Sequence, residues 1–401
     1  MGEFIVAAPE QVAMTKDWKT RLIHSDANVP EGFESLSSPV YRGSTIVFPD
    51  TSSMHTEWNQ EELGYAYGLH GTPTTLELAA RIAELEGGTR TLLTPSGLAA
   101  IGVVDLAFLS AGSHVLIPEN VYSPNRVLAV KMLQRFGIES SFYPPEIGCG
   151  IAEHFRSNTH LVWTESPGSI TMEVQDVPSI CAAARERSIP VALDNTWSAG
   201  VLFCAFDHGV DVTVQAATKY IGGHSDLLMG SVTVRDQAHL ERLGEVRARL
   251  GLAVSPDDCS LALRGLATMA VRLKHVEQSA LEIARWLAGR PEVQTVLHPA
   301  LESCPGNDLW KRDFTGSSGL FSLVMKPEFS GVQVRAFVDA LELFKIGYSW
   351  GGVASLAAPY DTRRVRSRTD YGDRIVRLNI GLESTADLIA DLERGLRAMR
   401  G

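Results

Sequence analysis

Apolar residues recur in two alternating patterns along most of the chain, beginning near Thr74. Leu78, Ile82 and Leu85 have helical spacing, and Gly87-Gly88 marks the end of that helix. Short segments rich in β-branched and other apolar residues, which lie between the helical stretches, predict buried strands at 91–93, 114–118, 161–163, 190–193, 210–214 and 230–234. Strands that alternate with helices predict right-handed βαβ units, and therefore a mostly parallel sheet with helices on both faces.

The pattern changes near residue 256, where a long helical stretch at 261–287 precedes strands that look antiparallel, at 321–324 and 375–378. An amphipathic helix at 385–399 ends the chain. The first sixty or so residues have weak periodicity and scattered turn formers, which indicates an arm. At 401 residues the chain is too long for one core. We therefore predict an arm (1–62), an α/β domain (63–255) and a smaller α+β domain (256–401).

Charge and composition exclude several function classes. A formal net charge of −11 argues against a nucleic-acid partner, which would require a concentrated basic face. The apolar runs are too short to span a bilayer, and the N-terminus lacks the features of a secretory signal. The five cysteines have neither the pairing nor the spacing of a disulfide framework or a metal site. We expect a cytoplasmic protein that binds neither membrane nor metal.

Two polar residues follow neighbouring buried strands. Asp194 directly follows the predicted strand at 190–193, and Lys219 lies just after the predicted strand at 210–214. Open α/β sheets bind their ligands at this carboxyl edge. Taken singly, the acid could equally be a turn or cap residue, and the lysine a solvated surface charge. Their joint placement favours a site.

An acid and a lysine so placed suit pyridoxal phosphate (PLP). A lysine amine can condense with the aldehyde of this cofactor, and a carboxylate keeps its pyridine nitrogen protonated. Its phosphate needs backbone donors at a helix N-terminus, which the stretch 94–98 offers. Gly97 would let the backbone approach closely.

Longer segments carry a family resemblance. The chain resembles the Cys/Met-metabolism PLP enzymes of fold type I and, within that family, the bacterial cystathionine β-lyases. The matching segments are DNTWSAG at 194–200, QAATKYIGGHSD at 215–226, YGLHGTPT at 67–74, ALRGL at 262–266, HPAL at 298–301, WKRDFTGSSGLF at 310–321, GYSWGG at 347–352 and RLNIGLE at 377–383. The resemblance runs from about residue 20 to the C-terminus. It implies a PLP-dependent aminotransferase-like large domain and a smaller C-terminal α+β domain.

The resemblance also implies roles for individual residues. Lys219 would carry the cofactor and remove the substrate α-proton, and Asp194 would pair with the pyridine nitrogen. The remaining residues that it implies are Tyr122, stacked on the cofactor ring; Gly97, Leu98 and Thr218, with Tyr67 of a neighbouring subunit, at the phosphate; Arg377 at the substrate carboxylate; and Ser349 and Trp350 at the substrate side of the pocket. A shared site of this kind implies a homo-oligomer, at least a dimer of active sites and usually a tetramer.

The reaction implied is β-elimination from L-cystathionine, which gives homocysteine, pyruvate and ammonia. Pro124 and Tyr348 stand where members that work at the γ-carbon often have a cysteine and an acid. Leu69 departs from the family pattern, because members usually have an arginine there that contacts the phosphate and the distal carboxylate. Another cysteine conjugate or a racemisation therefore remains an alternative. A non-catalytic homologue is a second alternative. The presence of Lys219, Asp194, Tyr122 and Arg377 argues against it.

Overall fold

A computed structural model describes residues 17–23, 35–363 and 371–401. Of the predicted arm, residues 1–16 and 24–34 lie outside the described residues. Within the described part, the arm contributes a short helix whose Leu22 is buried against other helices. The helices are α1 Trp18–Ile23, α2 Gln60–Leu63, α3 Pro73–Glu86, α4 Gly97–Phe108, α5 Ser123–Lys131, α6 Val177–Arg185, α7 Gln237–Arg249, α8 Pro256–Ala288, α9 Asn307–Asp313, α10 Gly331–Asp339 and α11 Thr385–Arg400.

Seven strands form the larger sheet, in the order β1-β7-β6-β5-β4-β2-β3. They are β1 Arg90–Thr94, β2 His114–Pro118, β3 Glu139–Tyr143, β4 Thr159–Glu165, β5 Val191–Asp194, β6 Val212–Gln215 and β7 Gly230–Val234. Strands β3, β2, β4, β5 and β6 run parallel, while β7 is antiparallel to both of its neighbours. The predicted mostly parallel sheet is confirmed.

Both faces of the larger sheet are buried, as the apolar runs at 114–118 and 161–163 predict. Within β5, Val191 and Leu193 pack into one core while Ala192 packs into the core on the opposite face. This alternation follows from the period of two residues along a strand. The helix α4 lies in the second of these cores with Val103 and Val104. Its N-terminus is consequently fixed next to the sheet.

A second sheet of five strands has the order β10-β11-β12-β9-β8. Its strands are β8 Val293–Leu297, β9 Leu320–Met325, β10 Lys345–Ile346, β11 Leu356–Tyr360 and β12 Ile375–Asn379. All pairs except β10–β11 are antiparallel, so the antiparallel character expected from the sequence is confirmed.

The helix α8 connects the two sheets. Its first part packs with α3 through Leu266 and Met269, and its last turns pack on the second sheet through Ile283 and Leu287. The division into domains at residue 256 stays a prediction. Of the helices in the described ranges, none has the length and apolar character needed to cross a lipid bilayer.

Candidate active site

The carboxyl ends of four parallel strands bring polar side chains to one edge of the larger sheet. Glu165 ends β4 and lies directly beside Asp194, the last residue of β5. Asp194 in turn lies beside Val214 of β6, a few residues before Lys219. Tyr122 follows β2 at the start of α5. The structure thus brings together the acid, the amine and the aromatic ring that the sequence singles out.

Lys219 is tethered rather than solvated. Its Nζ donates a hydrogen bond of 2.6 Å to Ser349 Oγ and lies 5.5 Å from the ring centre of Trp350. Burial and, to a smaller extent, the nearby Arg377 charge lower the pKa of Lys219, the Asp194 carboxylate opposes both effects, and the resulting pKa is about 8. This amine therefore has a larger neutral fraction near pH 8 than a surface lysine. A neutral amine is what nucleophilic attack or proton removal requires.

Asp194 is held by its neighbour two residues along the chain. Thr196 donates to Asp194 Oδ1 from both its backbone N–H, at 3.1 Å, and its hydroxyl. The same hydroxyl accepts a hydrogen bond of 2.9 Å from the N–H of Ala216, which links the ends of β5 and β6. Burial raises the pKa of Asp194, and the hydrogen bonds from Thr196 oppose that rise. No described residue donates a hydrogen bond to the other oxygen, Oδ2.

Arg377 enters the same site from β12 of the second sheet. It is only 8% exposed, and burial lowers the pKa of its guanidinium. Among the described residues no carboxylate pairs with it, and its side chain donates one hydrogen bond, of 3.3 Å, to the carbonyl of Ser349. A buried, unpaired guanidinium is costly unless an anion compensates it. This geometry suits a carboxylate ligand.

A tight loop at 349–351 joins Arg377 to Lys219. Ser349 has a φ of 84°, which is unusual for a residue with a side chain. A Cβ on Gly351 would lie 3.1–3.2 Å from backbone and Cβ atoms of Lys219, so glycine permits this close approach. The N–H of Gly351 donates to Asn379 Oδ1 at 2.9 Å, which fixes the loop on β12. Ser349 and Trp350 accordingly lie beside Lys219, and their contact with substrate stays a prediction.

The N-terminus of α4 provides a backbone cradle. Ser96 caps the helix by accepting a hydrogen bond from the N–H of Ala99, and the N–H groups of Gly97 and Leu98 point out of the first turn. A Cβ on Gly97 would lie 2.8 Å from the Cβ of Ala216, so only glycine fits this contact. Thr218 is close in sequence to Ala216, and its hydroxyl exchanges hydrogen bonds with the backbone of Met229.

Tyr122 is anchored through its backbone. Its N–H donates a hydrogen bond of 2.6 Å to Glu165 Oε2, while its side chain stays 42% exposed. Burial raises the pKa of its phenol, with a further rise from the nearby charge of Asp194. The ring is therefore a neutral, accessible face beside the acid.

Tyr67 differs from the other predicted residues. It is 49% exposed, and the contacts that position its backbone are with Gln60 and Thr45 rather than with the Lys219 cluster. The segment that follows Tyr67 is held by α7, because Arg247 donates a hydrogen bond to the carbonyl of Leu69. The same side chain donates to the carbonyl of Leu93 in β1. Burial and the Arg247 charge lower the pKa of His70. The placement leaves the phenol of Tyr67 available to a second molecule.

Sequence reasoning missed three supporting residues. Glu165 ends a buried strand, the same signal that pointed to Asp194, and could have been found that way. Thr196 lies within the DNT segment but its link to Ala216 depends on strand pairing. Asn379 accepts the hydrogen bond from Gly351, which lies 28 positions away, so no local pattern could have indicated this contact.

Comparisons with known proteins agree on one family. A family model described as Cys/Met metabolism PLP-dependent enzyme matches residues 19–397. Cystathionine β-lyase MetC of Escherichia coli is 40% identical, over 95% of this chain and 98% of its own length. A Rhizobium johnstonii protein provisionally named cystathionine β-lyase is 47% identical, over 94% of this chain and 96% of its own.

One relative has a different reaction in its name. The L-alanine/L-glutamate racemase of Wolbachia pipientis is 39% identical, over 90% of this chain and 92% of its own length. Among solved structures, metB of Corynebacterium glutamicum superposes with a TM-score of 0.88 at 27% identity, covering 96% of this chain and 98% of that one. The architecture and the sequence comparisons therefore lead to the same group of proteins.

Proposed function

The chain belongs to the family of Cys/Met-metabolism PLP-dependent enzymes, and we propose that it is a carbon–sulfur β-lyase that cleaves L-cystathionine to homocysteine, pyruvate and ammonia. The observation that carries the proposal is the placement of the Lys219 amine between Ser349, Trp350 and the charges of Asp194 and Arg377. The names of several relatives supply the substrate.

The residues at the site fit PLP. Among the described residues, the three charged groups Lys219, Asp194 and Arg377 form hydrogen bonds to Ser349 or Thr196 but no ion pair, and the first N–H groups of α4 form the backbone cradle nearby. They complement an aldehyde, a protonated pyridine, a substrate carboxylate and a phosphate. When bound, PLP supplies an electron sink for the negative charge that develops at the substrate α-carbon.

We assign the cofactor contacts as follows. Lys219 would hold the aldehyde carbon, and Asp194 would keep the pyridine nitrogen protonated. Tyr122 would cover one face of the ring. Gly97, Leu98 and Thr218 would hold the phosphate, with Tyr67 supplied by a neighbouring copy of the chain. The cradle supports this assignment, because helix N-termini bind anions through free N–H groups.

In the proposed reaction Lys219 moves the proton. Its Nζ removes the α-proton of the substrate, and Ser349 Oγ is the hydrogen-bond partner that directs the amine. Arg377 binds the α-carboxylate, and Ser349 and Trp350 line the adjacent pocket. The bond from the β-carbon to sulfur would then break with both electrons going to sulfur, and the thiolate would take up the proton held by Lys219 and leave as homocysteine. Water completes the release of pyruvate and ammonia.

Arg377 gives a prediction for substrate binding. Replacing it with leucine removes a charge-assisted carboxylate contact, for which we expect KM to rise by about 10- to 150-fold. The PLP content should not change, because the cradle and Lys219 are untouched. Steady-state kinetics and absorbance spectra test this. An unchanged KM for L-cystathionine would remove Arg377 from the carboxylate site.

We also propose an assembly and a location for the protein. The exposed Tyr67 suits a homo-oligomer with sites completed between subunits, a dimer at least and a tetramer in the full assembly. We also place the enzyme in the cytoplasm, where unpaired cysteines such as the five here are usual. Light scattering of the purified protein at several concentrations tests the assembly.

The decisive experiment quantifies the products that the PLP-loaded protein makes from L-cystathionine. Pyruvate and homocysteine in equal amounts support the proposal. Cystathionine carries a second carboxylate, and Leu69 offers it no charge. If the PLP-loaded protein leaves cystathionine intact, the assignment moves to another cysteine conjugate. Measuring pyruvate release from other cysteine conjugates would then identify the substrate.

Racemisation of a small amino acid is the second candidate, favoured by the Wolbachia relative. It begins with the same removal of the α-proton by Lys219, so the site geometry accommodates it. Chiral chromatography of L-alanine and L-glutamate after incubation with the enzyme separates the two reactions. Formation of the D-isomers without pyruvate from cystathionine would favour the racemase.

A further inference from the structure

Arg377 has small residues directly beside it on the second sheet. Ala358 of β11 and Ser322 of β9 are its register partners. Side chains two positions along a paired strand lie on the same face and reach diagonally. Tyr360 is two residues beyond Ala358 and faces Ile375, so it is the diagonal neighbour of Arg377. The small Ala358 leaves room for a long side chain to lean across.

The ring of Tyr360 occupies that room. The guanidinium carbon of Arg377 lies 5.1 Å from the ring centre of Tyr360, within the range of a cation–π contact. Tyr360 itself packs against the core beneath the site and is partly buried. Burial raises the pKa of its phenol, so the ring stays neutral and does not compete as an anion for Arg377.

Little else in the described residues restrains the guanidinium. Its one hydrogen bond is the 3.3 Å contact with the Ser349 carbonyl. A carboxylate that binds in bidentate fashion needs two N–H groups of one guanidinium edge in a fixed plane. A ring face against one side of the guanidinium limits its movement and leaves the N–H edges free.

We propose that Tyr360 is a positioning residue for α-carboxylate recognition: its ring holds the plane of the Arg377 guanidinium so that an edge faces the substrate. The inference rests on the proposed function, since it concerns the carboxylate subsite of the same active site. It assigns the effect to the aromatic ring and not to the hydroxyl. Tyr360 acts through Arg377 and does not itself take part in the reaction.

The test compares Tyr360→Leu with Tyr360→Phe in the PLP-loaded enzyme. Tyr360→Leu should raise KM for the amino-acid substrate by about 3- to 30-fold, the range that a cation–π contact supports, with kcat within about twofold. Tyr360→Phe retains the ring and should restore KM to within about twofold of the parent protein. A fall in kcat alone, or equal losses in both variants, would overturn the proposal.

A second measurement separates positioning from general packing. We would measure by calorimetry the affinity of 3-(methylthio)propionate, an amine-free carboxylate, and of its uncharged amide for each PLP-loaded variant. The affinity for the carboxylate should fall in Tyr360→Leu by the same factor as KM rises, while that for the amide stays unchanged. Equal losses for both ligands would mean that the pocket has merely lost its shape. Because neither ligand can react, the result stands even if the lyase activity proves absent.

Discussion

Replacing Lys219 with alanine should lower kcat by about 10⁴-fold, the upper end of what one acid–base group contributes. The effect is this large because one amine has two tasks, holding the cofactor and moving the α-proton. The variant should also lose the visible absorbance of bound cofactor after dialysis. Pyruvate release from L-cystathionine and the absorbance spectrum measure the two losses independently.

The stability of the Lys219→Ala protein provides a check that the fold survives. Because burial lowers the pKa of Lys219 to about 8, the protonated amine costs the folded protein stability at lower pH, and this cost disappears as the pH rises toward the unfolded lysine value. The cofactor-free variant should therefore melt no lower than the cofactor-free parent at pH 7. Lys274→Ala, at an exposed lysine on α8, is the matched control and should retain full activity. Turnover by Lys219→Ala within about tenfold of the parent would contradict the assignment.

The same pKa predicts how the cofactor-free parent takes up PLP. Attack on an aldehyde needs the neutral amine, so the rate of uptake should increase as the pH rises through about 8 and level off above it. A lysine in solvent would give a rise centred near pH 10.4 instead. Stopped-flow absorbance after mixing with PLP distinguishes the two profiles.

The sequence was informative about the larger sheet because its parallel strands are buried on both faces. Such strands are short unbroken apolar runs, and the residue that follows each one lies at the ligand edge. The joint placement of Asp194 and Lys219 after two neighbouring strands favoured a site at this edge, although neither residue alone was decisive. The edge strand β3 was missed, since Glu139–Tyr143 is mostly polar and only its last residue is buried. An edge strand has one neighbour and a weaker apolar pattern.

The antiparallel direction of β7 was equally invisible. Gly230–Val234 is fully buried, but its valines alternate with Ser231 and Thr233, and neither its burial nor its periodicity could assign its direction. The contacts between the two sheets are also absent from any local pattern. Ser349 meets both Lys219, 130 residues away, and Arg377, and it does so in a positive-φ conformation that a serine gives no reason to expect.

Asp194→Asn should lower kcat/KM by about 100- to 1,000-fold, the range seen when a preorganised electrostatic contact at the reacting centre is removed. Asparagine has the same shape and can still accept the two hydrogen bonds from Thr196, so the change isolates the negative charge. Without that charge the pyridine nitrogen loses its counter-ion, and the electron sink at the α-carbon is weakened. We expect the Asp194→Asn protein to retain its PLP content while its kcat/KM falls.

Asp211→Asn is the matched control for the Asp194 experiment. Asp211 lies just before β6, at the opposite edge of the same sheet, and its Oδ2 accepts a hydrogen bond of 2.8 Å from the N–H of Val191. Burial raises the pKa of both carboxyl groups, so the two variants remove comparable charges. Only the loss at Asp194 should affect kcat/KM, because only the carboxyl edge faces the cofactor. Equal losses in the two variants would mean that sheet stability, and not a charge at the pyridine nitrogen, explains the result.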